Sequence, residues 1–176
     1  LVQLFSECGP SILNELNGMF AIVIFDTQTK SVFIARDRLG IKPIYLFRQG
    51  EYITAASDIA ALLPLVGTVS YDLFALRQYR KLRTFFNGRT AYKQIELFPP
   101  GHYEQDGKRY QYWSLPHHPQ LPPTDDELKA LLIDAVSIRC IADVRVGSYL
   151  SGGLDSTLVA RIANKPDTWS VGFQEH

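Results

Sequence analysis

The run Ser151-Gly152-Gly153-Leu154-Asp155-Ser156 constrains this chain more than any other stretch of it. Val144-Arg145-Val146-Gly147-Ser148-Tyr149-Leu150 precedes it with the β-branched and aromatic content of a strand. Residues 154–162 follow it with apolar positions at helical spacing. Two glycines and two serines between a strand and a helix make a cradle for an anion. Glycine lets the backbone approach a ligand closely, the first helical turn offers N–H groups without intrahelical partners, and the helix dipole favours negative charge. No lysine follows the glycines, so the loop is not the Walker form GxxxxGK[ST]. An aspartate sits in the turn instead, where it repels a phosphate unless a divalent cation lies between them. An ordinary strand-to-helix turn that uses Gly-Gly for geometry alone is the competing reading. It suits a lone glycine pair better than S-G-G-x-D-S in this setting.

Other stretches stand in a telling order around that loop. Leu16-Asn17-Gly18-Met19-Phe20-Ala21 comes first, then Ala35-Arg36-Asp37-Arg38-Leu39-Gly40-Ile41-Lys42-Pro43-Ile44-Tyr45. Phe98-Pro99-Pro100-Gly101-His102-Tyr103 and Tyr112-Trp113 follow, and Asp143-Val144-Arg145-Val146-Gly147 runs into the glycine loop. SGGLDS resembles the pyrophosphate-binding PP-loop of the ATP pyrophosphatases. The whole order resembles glutamine-hydrolysing asparagine synthetase over nearly all of the chain. One residue departs from the family's D-V-P-V-G: Arg145 stands where proline is expected, and an arginine entering a buried strand is unusual there.

The resemblance implies an α+β glutaminase, an N-terminal-nucleophile αββα sandwich present in part, over residues 1–120 with the linker. An α/β PP-loop ATP pyrophosphatase domain, also in part, is implied over residues 121–176. The implied activity is ATP-dependent amidation of aspartate to asparagine with glutamine-derived ammonia, through a β-aspartyl-adenylate, releasing AMP and pyrophosphate. Glutamine, aspartate and ATP are then the small-molecule partners, with Mg²⁺ as the accompanying ion and a homodimer of the longer enzyme left open. Ser151, Gly152, Gly153, Leu154, Asp155 and Ser156 are the implied pyrophosphate-binding residues, with Asp155 facing the metal. Leu150 and Val171 are implied to line the adenine or ribose pocket. The family's glutaminase nucleophile is a cysteine at the mature N-terminus, helped by an Arg, an Asn-Gly pair and an Asp. All lie upstream of the stretch matching Leu1, so no catalytic residue is expected within this span. A related PP-loop amidotransferase or amide-forming synthetase, acting on another carboxylate or on a sugar, stays open as an alternative. So does an isolated fragment with no catalysis of its own, or a short module that senses a nucleotide or a partner.

At 176 residues the chain holds one medium domain or pieces of two. Its 18 basic and 18 acidic side chains cancel, so no global field favours nucleic acid or an anionic membrane. No apolar run approaches the length of a membrane span. Two cysteines, Cys8 and Cys140, lie far apart and fit a reducing, cytoplasmic setting better than a disulfide scaffold. Residues 1–7 read as the middle of an amphipathic helix, and residues 168–173 as a strand three residues before the sequence stops. The chain is therefore expected to be an internal piece of a longer protein.

Residues 20–26 are apolar almost throughout and predict a strand buried on both faces, with a hairpin partner over 31–35 across Thr27-Gln28-Thr29-Lys30. Strands are expected at 44–48 and 52–55, and a short helix over 59–63 that Ser57-Asp58 caps and Pro64 stops. Residues 72–80 predict a second helix. Asp106-Gly107 signals a type I′ turn between strands at 101–105 and 108–113. The proline-rich stretch 116–123 reads as a stiff linker, and Thr124 with Glu127 as a capping box. Leu128, Leu131, Leu132, Ala135 and Val136 then form one helical stripe.

Several tempting side chains have plainer roles. Arg36-Asp37-Arg38 before Gly40 reads as a turn braced by ion pairs, with anion binding left open by the family's R-D-x-x-G. Cys8 reads as a packed thiol at a helix end. His117-His118 read as solvated linker and His102 as a satisfied structural histidine. Pro99-Pro100-Gly101 reads as a rigid turn, and Tyr112 and Trp113 as packing residues.

Overall fold

The computed structural model describes residues 1–117, 121–165 and 167–172. His118, the rest of the expected linker to residue 120, and the end of the expected last strand at Phe173 lie outside the described residues. The chain divides into two compact units, Leu1–Pro116 and His117–His176.

The first unit opens with helices α1 (Val2–Cys8) and α2 (Ile12–Glu15). Strands β1 (Ala21–Phe25) and β2 (Val32–Arg36) follow as an antiparallel hairpin, and β6 (His102–Gln105) and β7 (Lys108–Gln111) complete a sheet of order β1-β2-β6-β7. A second sheet of order β4-β3-β5 is built from β3 (Tyr45–Gln49), β4 (Tyr52–Ala56) and β5 (Ile95–Leu97). Between β4 and β5 run a 3₁₀ turn (Ile59–Ala61) and helices α3 (Leu63–Val66) and α4 (Leu73–Leu82). Asp106 and Gly107 have φ of 52° and 73°, both positive as a type I′ turn requires, which sets the register Gln105 opposite Lys108.

Strand β2 organises the core because its two faces are both covered. Phe33 and Ala35 pack with Leu13 and Ile22, and with Phe5 of α1. Ile34, on the opposite face, packs with Ile44, Leu46 and Phe98. Beyond the second sheet, Phe47 and Ile95 pack with Leu62, Leu63 and Val66. These three clusters lie between four successive layers: helices, sheet, sheet, and the helical turns after β4. Each fully buried Leu, Ile or Phe contributes about 1.5–3 kcal/mol.

Several expectations are corrected here. The strand buried on both faces is β2, not the 20–26 segment. β1 is an edge strand, and Val23 and Phe25 share the face of Ile34 and Val32 yet are 49% and 55% exposed. The second sheet covers β2 but not them. Pro64 does not stop a helix; it sits in the first turn of α3, where its missing N–H has no partner to lose. The Lys108 strand ends at Gln111 rather than 113, and β5 and α2 were not expected. Cys8 is exposed rather than packed.

The second unit contains α5 (Asp125–Ser137), β8 (Ser148–Tyr149), α6 (Leu154–Ala163) and β9 (Thr168–Trp169). Thr124 closes the capping box: its hydroxyl accepts from the Glu127 N–H, and Glu127 accepts from the Thr124 N–H at 2.8 Å. β8 and β9 pair in parallel with α6 between them in sequence. The seven-residue strand expected over 144–150 contracts to Ser148–Tyr149, the two residues that pair with Thr168–Trp169. The expected α5 stripe is half-covered at Leu132 and Val136 but exposed at Leu128, Leu131 and Ala135. Among the described residues no helix is long and apolar enough to cross a membrane.

Candidate functional site

Gly152 adopts φ of 83°, a left-handed conformation costly for any residue with a Cβ, and so turns the chain sharply out of β8. Gly153 is the N-cap of α6 with extended backbone. Gly147, two residues before the Tyr149 end of β8, lies under the Trp169 ring, and a Cβ there would overlap that ring. Asn164, left-handed at φ of 47°, closes α6 by donating its N–H to Ala160. Local chemistry thus makes a strand, a glycine turn and a helix in the order read from the sequence.

Side-chain hydroxyls brace the turn. Ser156 Oγ accepts from the Ser151 N–H at 3.3 Å, lies 3.0 Å from Ser151 Oγ and donates to the Gly153 carbonyl at 3.1 Å. Thr157 Oγ1 donates to the same carbonyl at 2.8 Å. The N–H groups of Leu154, Asp155 and Ser156, in the first turn of α6, have no intrahelical acceptor. They coincide with the positive end of the helix dipole. Ser151, Gly152, Gly153, Leu154 and Asp155 are exposed and Ser156 is half-buried. Six of the expected site residues therefore share one accessible turn. Leu150 is half-buried, donating its N–H to the Trp169 carbonyl at 2.8 Å. Val171 lies just past β9 and is 80% exposed.

Asp155 is an exposed carboxylate in the first turn of α6, where the dipole favours it. Among the described residues no group of three or more His, Cys, Asp and Glu could hold a metal by itself. Mg²⁺ commonly takes one or two carboxylates together with phosphate oxygens and water. A single exposed carboxylate beside an anion cradle fits that donor set.

Arg145 does not enter a buried strand as expected. It precedes β8, its side chain is largely exposed, and it pairs with Asp167 at 2.8 Å. Arg36-Asp37-Arg38 is a structural knot, held by backbone groups rather than by the expected ion pairs. Buried Arg36 donates to the carbonyls of Lys42 at 2.8 Å, and of Phe98 and Gly40 at 2.6 Å. Asp37, 1% exposed, accepts from the N–H groups of Leu39, Ile41 and Lys42. Burial pushes the Asp37 carboxyl up, but these N–H donors outweigh it and hold it below the usual carboxylate value. Arg38 donates to the Leu16 and Asn14 carbonyls. His102 is satisfied by the Pro100 carbonyl at 2.7 Å, and His117 is exposed.

Two features escaped sequence reasoning. Buried Glu104 accepts from Arg48 at 2.8 Å and pairs with Arg109 at 3.1 Å, tying the two sheets together. Ser170 Oγ donates to the Leu150 carbonyl at 2.5 Å, beside the glycine turn. Nothing in residue type or spacing marks either one.

Residues 1–113 match the family model described as glutamine amidotransferase domain. The chain belongs to the glutamine amidotransferase domain family. Residues 127–176 match a second model, asparagine synthase. An amidotransferase followed by an asparagine synthase segment bears out the resemblance to glutamine-hydrolysing asparagine synthetases. A Methanocaldococcus jannaschii protein, named provisionally as a glutamine-hydrolysing asparagine synthetase, is 31% identical over 99% of this chain and 37% of its own length. Asparagine synthetase B [glutamine-hydrolyzing] of Escherichia coli is 30% identical over 99% of this chain and 28% of its own length. The amidase chyE of Penicillium rubens is 30% identical over 91% of this chain and 25% of its own length. The chain thus spans well under half the length of these curated relatives of its amidotransferase family.

Proposed function

We propose that this chain serves an ATP-dependent synthetase that amidates aspartate to asparagine with ammonia from glutamine. Residues 1–120 would supply the later part of an N-terminal-nucleophile glutaminase domain with its linker. Residues 121–176 would supply the first part of the PP-loop synthetase domain. The observation that carries the reading is the accessible S-G-G-L-D-S turn at the start of α6, in a chain whose earlier and later segments match the two family models in that order.

In this reading Ser151, Gly152, Gly153 and the first-turn N–H groups of Leu154, Asp155 and Ser156 hold the β- and γ-phosphates of ATP. Leu150 and Val171 line its nucleoside. Asp155 holds Mg²⁺, which when bound offsets the charge that grows on the pyrophosphate leaving group. The aspartate side-chain carboxylate attacks the α-phosphorus, the α–β bond breaks, and β-aspartyl-adenylate and pyrophosphate form. Ammonia then displaces AMP and leaves asparagine. The helix dipole and the unpartnered N–H groups favour the leaving group electrostatically. No glutaminase nucleophile is assigned within 1–176, so the isolated chain is expected to turn over neither glutamine nor aspartate.

The test is the full-length protein with ATP, Mg²⁺, glutamine and aspartate. AMP, pyrophosphate and asparagine in equal amounts are expected. AMP released only with another acceptor overturns the aspartate assignment in favour of a related amide-forming enzyme. The similarity to the Penicillium amidase is what keeps that second reading in view.

A further inference from the structure

The peptide unit joining Leu150 to Ser151 is where strand becomes glycine turn, and serine hydroxyls hold both of its polar ends. Its carbonyl, on Leu150, accepts from Ser170 Oγ at 2.5 Å. Its N–H, on Ser151, donates to Ser156 Oγ at 3.3 Å. The peptide is planar and trans, so these two groups point in opposite directions from one rigid plate. A donor on one side and an acceptor on the other therefore fix its rotation. Among the described residues, Leu150 is the last joined to the partner strand by a backbone ladder bond, through its N–H to the Trp169 carbonyl. In a parallel ladder the Leu150 carbonyl would next accept a backbone N–H from the neighbouring strand. β9 ends at Trp169, and the Ser170 side chain takes that acceptor instead.

We propose that Ser170 is a positioning residue for phosphate binding: with Ser156 it clamps the Leu150–Ser151 peptide and presets the direction in which the chain enters the Gly152-Gly153 turn. Ser170 itself touches no phosphate in this scheme. It acts through the loop, by removing the rotational freedom that binding would otherwise have to freeze. The inference rests on the nucleotide reading above.

The experiment is ATP-dependent pyrophosphate release by the full-length protein, comparing Ser170→Ala, Ser170→Thr and the unaltered enzyme. Loss of one hydrogen bond predicts a KM for ATP raised roughly tenfold in the alanine variant. The kcat should change less than KM, and the melting temperature should fall by only a few degrees, because Ser170 is exposed and one hydrogen bond is lost. Threonine keeps the hydroxyl and should restore the KM. An unchanged KM in Ser170→Ala, or a threonine variant as impaired as the alanine one, overturns the role of Ser170 and leaves the nucleotide reading standing. Absence of pyrophosphate release from the unaltered protein, with any acceptor, overturns the nucleotide reading and this inference with it.

Discussion

Tyr112 donates its hydroxyl proton to the Arg36 carbonyl oxygen at 2.8 Å, joining two residues 76 positions apart. The bond ties the chain after β7 to the end of β2, the strand on which three layers converge. Burial pushes the Tyr112 phenol up to about 12; the Arg38 charge opposes this and the Asp37 charge adds to it. A folded value above the unfolded one, near 10, means stability that is complete below pH ~10 and lost as pH rises toward the folded value. Tyr112→Phe should cost about 1 kcal/mol at pH 7 and flatten the alkaline loss. Urea denaturation at pH 7 and in the alkaline range measures both, and an unaltered alkaline limb in the phenylalanine variant contradicts the assignment.

Glu104→Gln should destabilise the first unit by about 3 kcal/mol, because Arg48 and Arg109 would both face a neutral group at a buried position. Glu96, which also pairs with Arg109 but is more exposed, should cost less than about 1 kcal/mol when changed to Gln. Chemical denaturation of the two variants side by side gives the comparison. Equal losses would mean that burial does not set the worth of these pairs.

Gly147→Ala should destabilise the second unit by about 1–3 kcal/mol, since the new methyl meets the Trp169 ring and the Asp167 carbonyl oxygen. The near-ultraviolet signal of Trp169 should change with it. A variant with native stability and an unchanged tryptophan spectrum would show that the β8–β9 pair can open without cost.

Asp155→Ala should leave the fold intact, because the side chain is exposed and only its favourable placement at the start of α6 is lost. Pyrophosphate release by the full-length protein should fall to background, and raising Mg²⁺ should not recover it. Turnover near the unaltered level removes Asp155 from the proposed metal site.

What could be read directly from residue order is what short stretches of backbone decide for themselves. Gly152 and Asp106-Gly107 take positive φ because few other residues do so cheaply, and Thr124 meets Glu127 because a helix brings N-cap and N3 together. The strand–turn–helix around S-G-G-L-D-S is of the same kind. The two family segments in their order were legible through resemblance, not through local backbone physics. Tertiary structure alone decided which strand lies between two covered faces, since β1 and β2 are both apolar and only neighbours in space separate them. It also decided that Arg36 donates to a carbonyl 62 residues away, that Glu104 meets Arg48 across 56 residues, and that Ser170 reaches back 20 to Leu150. Hydrogen bonds and ion pairs of this kind depend on distance in space. A single sequence records distance along the chain, so they become visible only once the sheets are assembled.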